Sequence, residues 1–158
     1  MSTDKVATLV AYDCWALLEG ADIARVAWQA GDEIQLVPVN YTVADGGLWF
    51  RTDPGTALAR GTAGRPVVVE VDQVDPVTRD GWSVVVRGTA ELVDVLDAPD
   101  MLVEMTVWPA GTDSVFVRVD AERLTGRRLW GSGTTDASTP ALSDRPTARP
   151  LEVRDARP

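Results

Sequence analysis

The sequence predicts a mainly β fold, an antiparallel barrel with a few short peripheral helices. Three observations carry that expectation. Apolar and polar residues alternate with period two through most of the first 130 positions, turn residues separate the alternating runs at hairpin spacing, and helical patterns are confined to short segments. Consecutive hairpins join antiparallel strands, and a strand-rich chain with few helices closes into a small barrel or sandwich.

The first element is a short helix over 12–19, where Cys14, Leu17 and Leu18 share one face and Gly20 supplies the stop. It is expected to plug or cover one end of the barrel. Strands follow over 24–29, 33–43, 48–52, 67–71, 82–93 and 114–119, with a further stretch over 124–130. The turns between them are Ala30-Gly31-Asp32, Asp45-Gly46-Gly47, and a longer one that opens on Asp75-Pro76 and closes on Asp80-Gly81. Two helices interrupt the strands. One covers 56–60, and the other runs from 98 or 99 to 107, with Pro99 at its start and Pro109 beyond its end.

Size and composition bound the function. A chain of 158 residues, 45% hydrophobic and 25% charged, suits one globular domain. Composition shifts at Gly131. From Ser132 onward there are four prolines, no aromatic residue, and four arginines balancing four acidic residues, so the expected organisation is a barrel domain over 1–131 and an extended tail over 132–158. The net charge of −9 and pI near 4.4 oppose a phosphate backbone, and nucleic acid is not an expected partner. Apolar runs such as 67–69 fall far short of the roughly 20 residues of a membrane span. The N-terminus lacks a basic patch and apolar core of an export signal, and the single Cys14 cannot form an internal disulfide; a cytoplasmic chain is expected.

With no histidine and one cysteine, the usual zinc sites, histidine-ligated haem, Ser/His/Asp triads and Cys/His pairs cannot be built. Glu70 and Asp72 alternate onto one solvated strand face, so no metal site is expected. What remains is chemistry carried by a bound organic cofactor, or none.

Three segments bear on such a cofactor. In Leu48-Trp49-Phe50-Arg51-Thr52-Asp53-Pro54-Gly55-Thr56, a strand carrying Arg51 ends in a tight turn, and Thr56 then opens a helix whose first N–H groups are unpaired. Arg51 and Thr56 there can share a phosphate; the same residues equally suit a solvated arginine and a threonine helix cap. In Gln35-Leu36-Val37-Pro38-Val39-Asn40-Tyr41, Pro38 marks an edge or bulge, which leaves neighbouring backbone groups free for a planar ring or simply free. In Gly81-Trp82-Ser83-Val84-Val85-Val86-Arg87-Gly88, Trp82 shares the core face with Val84 and Val86, while Ser83 and Arg87 share the other, which suits a subunit interface or a wet surface.

Taken in order and at these separations, the segments resemble the pyridoxamine 5'-phosphate oxidase-like family of flavin-binding split barrels. The resemblance runs from Cys14-Trp15-Ala16-Leu17-Leu18 through the three segments and Glu70-Val71-Asp72 to Arg123-Leu124-Thr125-Gly126-Arg127-Arg128. It implies a six-stranded antiparallel split barrel that forms a homodimer, with flavin mononucleotide (FMN) in each of two clefts at the interface. By the same resemblance Pro38, Val39, Asn40 and Tyr41 run along the isoalloxazine edge. Arg51, Thr52, Gly55 and Thr56 hold the phosphate, Trp82 and Ser83 approach from the barrel wall or the second subunit, and Arg127 is a further candidate. One position departs from the family: Ala57 stands where members often carry lysine, and the only lysine is Lys5. The implied ligands are therefore FMN, the deazaflavin F420 that some relatives use, or an empty cleft. The implied activity is hydride or electron transfer between NAD(P)H and a small acceptor, against a non-catalytic barrel that stores or senses a flavin. No second basic cluster is present for another phosphate, so pyridoxamine phosphate is not the expected substrate.

Overall fold

The computed structural model describes residues 6–102 and 114–131. In chain order these form β1 (Val6–Leu9), α1 (Ala11–Glu19), β2 (Ile23–Ala30), β3 (Glu33–Ala44), β4 (Gly47–Thr52), α2 (Ala57–Thr62), β5 (Arg65–Val74), β6 (Gly81–Val93) and β7 (Val115–Leu129), with 3-10 turns at Val95–Asp97 and Asp100–Leu102. The sheet runs β1-β7-β4-β3-β2-β5-β6, and β6 also pairs with β7. That last pairing closes six strands, β2 to β7, into an antiparallel barrel. The short β1 is added to the far half of β7.

Six barrel strands were expected, and the boundaries differ in two places. The expected strands over 114–119 and 124–130 are one continuous β7. The break in alternation between them is a β-bulge, where pairing steps from Arg87↔Arg123 to Gly88↔Ala121 and leaves Glu122 as the extra residue. A bulge bends a strand without ending it, so the alternation is interrupted while the ladder continues. β1 went unread because four residues give too short a pattern; its partner is the end of β7, from Val6↔Leu129 to Leu9↔Gly126. Of the expected helix over 98–107, the described part is the 3-10 turn at Asp100–Leu102; positions 103–113 lie outside the described residues, as does the tail over 132–158.

The hairpins follow local chemistry. Between β3 and β4 the two turn residues, Asp45 and Gly46, both have positive φ (50° and 70°), the primed-turn geometry that Asp-Gly favours. Asp75 organises the β5–β6 turn by accepting from the Val77 and Thr78 amides, each at 2.8 Å. These bonds to the charged form hold its carboxyl below the usual range.

Alternation along each strand fills the barrel interior with Val26, Trp28, Leu48, Phe50, Val67, Val69, Val71, Trp82, Val84, Val86, Val117 and Val119, and α1 closes an end with Cys14 and Leu18. Gly88 permits the closest strand approach: a Cβ there would lie on the Asp120 carbonyl oxygen. A second cluster covers the outer face of β4 and β7, where Trp49 and Phe116 pack with Ala44 and Leu102. β4 is therefore buried on both faces, which fixes how its last residues leave the sheet.

Candidate functional site

The barrel is split beside the end of β4. β3 pairs with β2 over eight residues, from Ile23↔Asn40 to Ala30↔Glu33. It pairs with β4 over only four, from Tyr41↔Phe50 to Ala44↔Gly47. The next residues on each strand, Asn40 and Arg51, are not ladder partners. From Asn40 back to Glu33 the β4-facing edge of β3 has no strand partner among the described residues. Pro38 sits on this edge segment, where its missing N–H costs nothing to the ladder.

Side-chain directions within 38–41 follow strand alternation. Val39 and Tyr41 are buried in the core, while Pro38 is exposed. The Tyr41 hydroxyl donates to the Leu18 carbonyl, one of the last carbonyls of α1 that the helix itself cannot satisfy. Burial, reinforced by the Asp22 charge, pushes its phenol well above the ordinary tyrosine value. The Tyr41 amide in turn donates to the Asp22 carbonyl at 3.1 Å, so both the phenol and the N–H of Tyr41 are committed within the fold. Asn40 Nδ2 donates to the Asp22 carbonyl at 3.5 Å, and Asn40 Oδ1 is buried without a hydrogen-bond partner among the described residues.

At the end of β4, both sequence readings of Thr56 bear on one hydroxyl. Thr56 is the N-cap of α2: its Oγ1 accepts from the Ala59 amide at 3.1 Å, donates to the Asp53 carbonyl at 2.9 Å and lies 3.0 Å from Thr52 Oγ1. A hydroxyl has one proton and two lone pairs, so Thr56 is saturated and Thr52 is the donor between the two. Gly55 is exposed in the turn just before this cap. Arg51 is half-buried and points elsewhere. Its Nε donates to the hydroxyl of buried Ser114, and its guanidinium lies over the Phe116 ring, 5.9 Å from the centroid. Its Nη groups bond to no other described residue. The structure thus brings Thr52 and Thr56 together and holds Arg51 on the Ser114 side of the same strand end.

The remaining candidates lie far along the barrel. Ser83 pairs with Arg127, whereas Val93, ten residues further along β6, pairs with Phe116, itself the partner of Arg51. Ten strand residues span about 33 Å. One chain therefore does not bring Ser83 and Arg127 to the Arg51 strand end. Trp82 and Ser83 also face opposite ways: Trp82 is buried in the core, while Ser83 and exposed Arg127 are cross-strand neighbours on the outer face. Trp82 lines a cavity of about 450 Å³ at that barrel end, together with Gln73, Arg128 and Trp130. A second cavity of about 280 Å³ lies on the outer wall among Ala27, Ile34, Pro66, Val68 and Arg87. The acidic pair Glu70 and Asp72 is engaged by Arg25 Nη1, at 3.0 and 2.7 Å.

Sequence reasoning missed Ser114 and Phe116 as companions of Arg51. Their alternation over 114–119 was legible, but only the register Arg51↔Phe116 sets them beside the guanidinium.

Comparison with known proteins agrees with this architecture. A family profile described as pyridoxamine 5'-phosphate oxidase matches residues 11–128, which takes in α1 and nearly all of the closed barrel. The chain belongs to the pyridoxamine 5'-phosphate oxidase-like family of flavin-binding split barrels. It is similar to a FAD-binding protein of Mycobacterium smegmatis, with 30% identity, TM-score 0.62, and coverage of 78% of this chain and 98% of that one. It is similar also to a FAD-binding protein of Mesorhizobium loti, with 27% identity, TM-score 0.64, and coverage of 78% and 96%. An uncharacterized protein of Mycobacterium tuberculosis is 31% identical over 140 residues, 85% of this chain and 92% of its own length.

Proposed function

We propose that this protein is a homodimeric flavin-binding oxidoreductase that carries hydride or electrons between a nicotinamide nucleotide and a small acceptor. The observation that carries the reading is the split in the sheet. Among the described residues, a β3 edge without a strand partner at Asn40 opens beside a β4 end whose arginine has donors to spare. The residues fit a phosphate-bearing flavin. Asn40 Oδ1 lacks a partner among the described residues, and the Nη fork of Arg51 matches a phosphate's paired oxygens.

In this reading the backbone of Pro38, Val39, Asn40 and Tyr41 borders the ring, and Arg51 is the principal phosphate donor. Thr52, Gly55 and Thr56 shape the turn against which the phosphate sits. Because Thr56 is saturated as a cap, its hydroxyl orders the turn more than it binds. When bound, the flavin supplies hydride chemistry at its N5, so the chain needs no acid or base of its own.

The homodimer is supported by two features. Ser83 and Arg127 are remote from Arg51 within one chain, so a cleft that uses all of them takes Ser83 and Arg127 from a second copy. The outer face of β3 also presents Ile34 and Leu36, 74% and 62% exposed, beside Pro38, an apolar row of the kind that association covers.

The relatives' FAD and the smaller FMN share the phosphate that Arg51 would read, whereas Ala57 removes a cation that family members often add. That substitution removes one phosphate contact; the second reading is a non-catalytic barrel that binds, stores or senses FMN or F420, or whose cleft is empty. Titration of purified protein with FMN, FAD and F420, followed by fluorescence and thermal shift, tests the binding. At least one is expected to bind, and Arg51→Ala to weaken it about tenfold or more, the worth of a charge-assisted bond. No binding of any of the three refutes the function. Bleaching of the bound flavin by NADH or NADPH separates the enzyme from the store.

A further inference from the structure

We infer that Ser114 is a positioning residue that turns Arg51 into a reader of the ligand's phosphate. The inference rests on the flavin reading above and adds the residue that sets its phosphate selectivity. Arginine is a long side chain with about 2 kcal/mol of rotamer entropy, and one left free in solvent must surrender it when a ligand arrives. Here the guanidinium is held from two sides before any ligand is present. Ser114, only 7% exposed, takes the Nε–H, and the fully buried Phe116 lies beneath the guanidinium at 5.9 Å. Ser114 immediately precedes β7 and Phe116 is its second residue, so the two lie two positions apart, and Phe116 is the cross-strand partner of Arg51.

Phe116 is itself braced by the edge-to-face Trp49 ring at 6.4 Å, and Trp49 carries Arg118 above it at 5.6 Å. Trp49 is further locked by its Nε1 bond to the Ala44 carbonyl at 3.0 Å. The row Arg51, Phe116, Trp49, Arg118 crosses the β4–β7 pair like a short ladder, and its outermost rung is the arginine at the split. A guanidinium has five N–H donors in a plane. With Nε committed to Ser114, the plane is fixed and the four Nη donors remain unengaged among the described residues. Neither threonine hydroxyl nearby has a proton left to give, so among the side chains of this strand end the phosphate selectivity falls on Arg51 and on what holds it.

The test compares FMN with riboflavin, which has the same ring and no phosphate, in wild type, Ser114→Ala, Ser114→Thr, Phe116→Leu and Arg51→Lys. Affinities are read by flavin fluorescence quenching, and folding by thermal melts. Ser114→Ala is expected to weaken FMN by about threefold to tenfold, the cost of immobilising one long side chain on binding, with riboflavin unmoved. Ser114→Thr restores the wild-type ratio because it restores the acceptor. Phe116→Leu and Arg51→Lys each lower the FMN-to-riboflavin ratio. If Ser114→Ala leaves that ratio at the wild-type value while Arg51→Lys lowers it, the positioning role is refuted and the flavin reading stands. If wild type binds FMN and riboflavin equally, Arg51 does not read phosphate and the inference falls. If it binds no flavin at all, both fall together.

Discussion

Tyr41→Phe removes one oxygen at the point where the barrel splits, and its consequences can be worked out. The Tyr41 hydroxyl donates to the Leu18 carbonyl near the end of α1. Gly20 satisfies the neighbouring Leu17 carbonyl through its own amide at 3.2 Å, so Leu18 depends on Tyr41. Both Leu18 and Tyr41 are buried, at 1% and 5% exposure, which keeps water from replacing the lost donor. An orphaned buried carbonyl costs about 1–3 kcal/mol. For a domain of this size that is a fall in Tm of about 2–12 °C. The pH dependence adds a second signature. Because burial and the Asp22 charge raise the phenol's pKa in the folded chain, folding favours the neutral form. The stability so gained is complete below the unfolded value of about 10 and is lost as pH rises above it, while the unfolded tyrosine ionises. Urea titrations from pH 7 to pH 11 should therefore show wild type losing its advantage over Tyr41→Phe as pH climbs past 10. Equal stability of the two proteins at pH 7, or a gap that does not narrow at high pH, would refute the helix-capping role of Tyr41 and the burial that goes with it.

Two further outcomes follow from local geometry. Thr56→Ala removes the N-cap of α2 together with the Thr52 contact and should cost about 1 kcal/mol by chemical denaturation, with Thr56→Ser recovering most of it; an unchanged midpoint would mean the cap is idle. Gly88→Ala sets a Cβ against the Asp120 backbone carbonyl, which cannot rotate aside as a side chain can. Its cost should reach or exceed the upper end of overpacking, about 3 kcal/mol, and a Tm within 2 °C or so of wild type would show that β7 can shift away from the bulge.

The elements of the barrel were legible because each rests on local chemistry. Asp45-Gly46 could only turn one way, Gly20 stopped α1, and the alternation of Trp82, Val84 and Val86 told the core face from the outer one. The same locality explains the errors. Ala121-Glu122-Arg123 broke the alternation and read as a gap, though a ladder tolerates one extra residue when the partner strand continues through it. Four residues of β1 carried too little pattern to register, since what makes them a strand is the open edge of β7.

For the candidate site, the sequence by itself determined the chemistry available: no histidine, one cysteine, one lysine, and an arginine at a strand end ahead of a threonine-capped helix. Only the tertiary structure decided which of those groups meet. Register set Arg51 against Phe116 and Ser114, left Asn40 and Arg51 without each other as ladder partners at the split, spent the Thr56 proton on Asp53, and carried Ser83 and Arg127 to the other end of β6. The physical reason is that side-chain direction repeats every two residues and is written locally, whereas strand register is a choice among long-range pairings that closure of the whole barrel settles at once.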